Sequence, residues 1–180
     1  MGEIKSALEL AMERSKKYVV SDEEREEIRE KEMMQKATAL FHRYTGSHLS
    51  LHEMIREIEK MDEKTRKRVE DILLSQCVDA LSLEVDPERL FSALESLEHQ
   101  DLSDMKERFQ NLFEGYHEEM EKAKQKMSLE LAGALKNEGI YGDAVVPNVE
   151  GSDRWKEVLE TTGLSWGAKL DEIKETLRKS

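Results

Sequence analysis

The chain is poor in the residues that break helices or staple small folds. Its 180 residues include two Pro, nine Gly and one Cys. Both prolines come late, at Pro87 and Pro147, so nothing before Pro87 carries a helix-breaking imino acid. One Cys cannot form an internal disulfide, and a reducing, cytoplasmic compartment is the simple expectation. No apolar run approaches the roughly 18 to 20 residues that cross a bilayer. The opening stretch lacks a signal-peptide core, because Glu3, Lys5 and Glu9 interrupt Ile4, Leu8 and Leu10.

Positive charge is also in deficit. Lys and Arg number 28 against 40 Asp and Glu, a net charge of −12. A nucleic-acid partner wants a basic face, so none is expected. Docking to anionic lipid is disfavoured for the same reason, and no membrane partner is expected. The balance suits a self-repelling cytosolic protein or a basic partner.

What the chain does have is helical periodicity, with β-branched runs almost absent. Ile4, Leu8, Ala11 and Met12 make a narrow stripe over about 2–17. The start Met1-Gly2-Glu3-Ile4-Lys5-Ser6 also matches the loose myristoylation pattern, but Glu3 beside the glycine favours an ordinary helix start. Ser21-Asp22-Glu23-Glu24 reads as a capping box that opens a helix, polar in its first half and apolar from Met34 to Tyr44. Gly46 is placed to end it. Ser50-Leu51-His52-Glu53 is a second capping box, and Asp62 is the next cap. Asp86-Pro87-Glu88 starts another helix, with Asp as cap and Pro at the first helical position.

The longest periodic stretch carries Met105, Phe109, Leu112, Tyr116, Met120, Ala123, Met127, Leu131 and Ala134. A helix over about 104–137 would be roughly 50 Å long. A compact domain of this size has a diameter on the order of 40 Å, so the helix outruns the globule unless it bends near Gly115 or Gly133. Residues 140–151 then read as extended chain, with Ala144 to Val146 as a candidate brief strand that Pro147 keeps off a central position. A short helix through Trp155, ended by Gly163, and a last one with Trp166, Leu170, Ile173 and Leu177 complete the pattern. The expected fold is all-α: an elongated helical bundle over 1–139, an extended connector over 140–151 and a C-terminal helical hairpin over 152–180.

Candidate chemistry is sparse. A di-iron bundle needs two Glu-x-x-His motifs, and this chain has one, Glu114-Gly115-Tyr116-His117. Cys77 sits among Leu73, Leu74, Val78 and Leu81 and reads as core. No P-loop, nucleophile elbow or dinucleotide fingerprint occurs. Gly139-Ile140-Tyr141-Gly142 lacks the basic neighbourhood of a nucleic-acid clamp and reads as a turn. Lys64, Arg66, Lys67 and Arg68 form the only dense basic run, flanked by Glu63 and Glu70, and read as a solvated face. Met54, Met105, Met120 and Met127 fall on apolar stripes and read as packing. Both tryptophans, Trp155 and Trp166, lie beyond the connector, and Trp is enriched in interface anchors. With Leu170 and Ile173 they form the candidate partner interface.

The segment Met1-Gly2-Glu3-Ile4-Lys5-Ser6-Ala7-Leu8-Glu9-Leu10-Ala11-Met12-Glu13 resembles the start of a group of small, uncharacterised bacterial proteins. Gly142-Asp143-Ala144-Val145-Val146-Pro147-Asn148 is similar to a segment near the end of the same group. The resemblance implies a bacterial, cytosolic source and brings no activity or functional residue with it.

The expected function is therefore non-enzymatic: helical protein–protein interaction or scaffolding, with no cofactor. Spare apolar stripes on the long and final helices predict a homodimer. Two other classes stay open. One is a helical-bundle metal-binding protein or enzyme using Glu114 and His117. The other is an acidic regulator that sequesters a basic partner and lets go as salt rises.

Overall fold

The structure, a computed structural model, describes residues 21–140, 142 and 144–179. The expected helix over 2–17, the myristoylation pattern and the N-terminal half of the resemblance lie outside the described residues. Among the described residues there are six helices and no strand: α1 (Asp22–Thr45), α2 (Leu51–Glu59), α3 (Glu63–Ala80), α4 (Glu88–Glu98), α5 (Ser103–Asn137) and α6 (Asp153–Leu177). The protein is all-α.

The helices begin where local chemistry says they should. The Ser21 and Ser50 hydroxyls accept from the amides of Glu24 and Glu53, whose carboxylates reach back to the Ser21 and Ser50 amides. Asp62 Oδ1 accepts from the Thr65 amide at 3.1 Å. At α4 the start shifts by one residue from the expected one: Pro87 (φ −80°, ψ −8°) stands at the N-cap, its carbonyl takes the Phe91 amide at 3.0 Å, and Asp86, one residue outside, accepts from the Glu88 amide at 2.9 Å through Oδ1. Each such cap satisfies an amide the helix itself cannot pair.

The end of α1 departs from the expected glycine cap. Gly46 has φ −75° and Ser47 takes the left-handed conformation at φ 61°. Gly46 is still required, because a Cβ there would meet the His42 carbonyl at 2.9 Å. Arg89 seals this corner. Its guanidinium donates to the Tyr44 and Leu49 carbonyls and lies 4.7 Å from the Tyr44 ring, while the Tyr44 hydroxyl donates to the Arg89 carbonyl.

α1 and α3 lie side by side and parallel, in a constant register that pairs Glu26 with Lys64, Glu30 with Arg68 and Thr38 with Gln76. α2 is the short return between them. α4 packs on α3, and Phe91 of α4 meets Phe109 of α5 edge-on at 5.6 Å. These five helices and the last turns of α6 share one core, centred on Met54, Ile58, Val69, Leu73, Phe91, Leu94 and Phe109. We call this the head.

α5 runs unbroken for 35 residues, about 52 Å, through both Gly115 and Gly133. Its second half leaves the head and, among the described residues, is accompanied by α6 and the connector. This two-helix arm has its own small cluster, Met127, Val149 and Trp155, with Met120, Ala123, Leu131 and Val158 half-buried around it.

The C-terminal hairpin is corrected. Residues 153–177 form one continuous helix, with Gly163 and Gly167 inside it. An interior glycine costs only about 1 kcal/mol. Here Trp155, Trp166, Leu170, Ile173 and Leu177 all fall on one face, and burying them along α5 and the head outweighs that cost. Lys174 Nζ donates to the Asp79 carbonyl at 3.0 Å and Arg178 pairs with the Asp79 carboxylate, so the end of α6 is fastened to the end of α3. The candidate strand at 144–146 is corrected as well: those residues are turn and irregular chain. Among the described residues no strand lies beside them to pair with, and Pro147 lacks an amide to offer one.

Candidate functional site

The four residues singled out from the sequence do not form one exposed patch. Trp155 is 7% exposed and belongs to the arm cluster. Leu170 and Ile173 are 9% and 4% exposed and belong to the head core. Trp166 is half-buried at the junction between the two. The expectation of a shared interface patch is corrected by this division: the chain's own α5 covers their common face.

Trp166 fixes that junction. Its indole lies against Gly115, where a Cβ would come within 2.7 Å of Cη2. Nε1–H donates to Glu119 Oε2 at 3.0 Å. Tyr116 meets the ring edge-on at 6.3 Å and the Lys169 ammonium lies 4.0 Å from its centroid. The glycine of Glu114-Gly115-Tyr116-His117 therefore serves close helix packing. The flanking pair points away from it: Glu114 accepts from Gln110 at 2.8 Å, and His117 is exposed with its ring 4.3 Å from Phe113. Among the described residues, no group of three or more His, Cys, Asp or Glu side chains is placed to hold a metal ion.

The arm is pinned along its flanks by charge. Lys124 pairs with Glu150 and Arg154 with Glu130, each at 2.7 Å. The hydrogen bond and charge of Glu150 raise the Lys124 pKa, and Lys124 in turn lowers that of Glu150. At the root of α6, the Ser152 hydroxyl accepts from the Trp155 amide and touches Met127 Sδ at 3.3 Å. Between these pins the seam stays thin. Leu159 is 42% exposed beside it, and Leu129 and Leu164, on the outer faces, are 76% and 72% exposed.

Of the grooves on the described surface, two flank the connector and the first halves of α1 and α3. One of about 650 Å³ lies between α5 and the connector, lined by Glu121, Lys124, Ser128 and the stretch Val146 to Glu150. The other, about 520 Å³, lies between the first halves of α1 and α3, with Met33 among ten charged side chains and Thr65. It holds Lys64, Lys67 and Arg68 of the basic run, and two of those cations are paired with Glu26 and Glu30. Cys77 is 1% exposed in the head, and burial pushes its thiol pKa up to about 12. That is the opposite of an activated nucleophile.

Sequence reasoning missed the Trp166–Gly115 contact and the α1–α3 groove. Glycine in the middle of a long apolar stripe was the available signal for the first. The second depends on a register between two helices that no local pattern encodes. No family model, curated protein or solved structure matches this chain. Among the described residues, no helix is long and apolar enough to cross a membrane.

Proposed function

We propose that this chain is a non-enzymatic helical interaction or scaffolding protein of the bacterial cytoplasm, and that it works as a homodimer through the two-helix arm. The supporting observation is the thinness of the arm. Two helices make one layer, and a domain needs at least two to close a core. Here that layer buries Met127, Val149 and Trp155, leaves Met120, Ala123, Leu131 and Val158 half-covered, and leaves Leu159 open. A second arm laid on the open seam gives a four-helix arrangement, in which a self-complementary face is covered by its own copy.

Much of the apolar stripe that motivates dimerisation in the sequence is spent on packing α5 against α6. What remains is the flank of that seam, so the test must target the flank. Light scattering on the full chain well above micromolar concentration should give twice the monomer mass. Leu159→Glu, at the exposed flank, should return it to the monomer without loss of helicity. A wild-type monomer across that range rejects the homodimer.

A further inference from the structure

The first three turns of α1 stand apart from the rest of the head. Every residue from Ser21 to Glu32 is exposed, and the first buried residue of the helix is Ala37. Facing them, α3 has no buried residue before Val69. Between the two lies the groove of about 520 Å³, not a packed seam. Among the described residues, side chains join across it at Lys64–Glu26, 3.5 Å, and Arg68–Glu30, 3.2 Å. All four side chains are between 48% and 82% exposed. Met33 is the first residue of α1 to touch the core, half-buried against it, and from Ala37 onward the contact deepens to Leu40, Tyr44 and the Thr38–Gln76 hydrogen bond.

We propose that residues 22–33 are an electrostatic strap, held against α3 by two solvated ion pairs and by the half-buried edge of Met33, and able to leave α3 and unwind as far as Ala37 while the head stays folded. Exposed pairs contribute little and are screened by salt, whereas the segment beyond Ala37 is held by buried apolar contacts that are not. Local opening draws on the cheapest contacts first. Opening uncovers Met33 and frees Lys64 and Arg68 from their carboxylates. Ionic strength, or a competing set of carboxylates, therefore sets how much of the basic run α3 shows.

Native-state hydrogen exchange of the full chain at low and at about 1 M salt tests this. Amides of 26–33 should exchange roughly two- to thirty-fold faster in high salt, the range expected from losing two exposed pairs. Amides of 40–45 should not change. Glu26→Lys with Glu30→Lys should give fast exchange at low salt. Adding Lys64→Glu and Arg68→Glu should restore both protection and salt dependence, which pairs internal to α1 could not do. Protection of 26–33 that is insensitive to salt, or a charge swap that fails to restore it, overturns the strap. Intact protection at 40–45 shows in every variant that the head has folded.

Discussion

The head and the arm share one helix and one apolar periodicity, yet they differ in depth. In the head, α5 presents Phe109 to α4 and to the core, and Phe91, Phe109, Met54, Ile58, Leu73, Leu81 and Leu94 are all less than 2% exposed. In the arm, the same stripe meets one helix and a connector, and none of its side chains reaches that depth. Burial stabilises roughly in proportion to the apolar area removed from water, and that area depends on how many neighbours surround a residue, not on its spacing. Equal stripes can therefore carry unequal energy.

The sharpest way to break this comparison is to truncate one aromatic in each region. Phe109→Ala should cost about 3–5 kcal/mol, the usual range for a fully buried ring, and lower the denaturation midpoint of the whole chain. Trp155→Ala should cost less than that range, because its cluster can collapse or open to water on two sides. Its loss should also show as a separate early transition, with far-UV helicity falling before Trp166 fluorescence changes. Coincident transitions for both variants would mean that arm and head unfold as one unit.

The junction offers a finer comparison between two glycines of one helix. Gly115→Ala places a methyl 2.7 Å from Trp166 Cη2, and overpacking of this kind costs about 1–3 kcal/mol. Gly133→Ala meets nothing within 4 Å and should gain up to about 1 kcal/mol from helix propensity. Opposite signs in urea denaturation would place the constraint at the Trp166 contact. Equal gains would remove it.

The elements were legible because their signals are local. Ser21, Ser50, Asp62 and the Asp86-Pro87 pair each report a helix start through chemistry within a few residues. The long helix was visible in a stripe that never slips. Gly163 misled for a physical reason: a helix interior tolerates one glycine when its apolar face continues, and Trp155 and Trp166 sit eleven residues, about three turns, apart on the same face. The candidate interface failed differently. Tryptophans after a connector look alike whether they face a partner or their own chain, and only the antiparallel return of α6 along α5 decides between them. The α1–α3 groove was hidden because a parallel pairing with a fixed offset leaves no trace in either helix alone.

The smallest effect tests whether the head is as complete as its core suggests. Glu98 ends α4, where a carboxylate opposes the helix dipole, and its Oε2 is buried without a hydrogen-bond partner among the described residues. Burial raises its pKa above the ordinary 4.5. The folded state therefore binds the proton more tightly than the unfolded chain does. Its favourable contribution is full below 4.5 and is lost as pH rises through the folded pKa. At neutral pH the charged carboxylate is a burden that Glu98→Gln removes. The variant should be the more stable protein in urea at neutral pH, and the gap should close in acid below 4.5. A gap that persists there would trace the gain to the amide's own contacts instead of the buried charge.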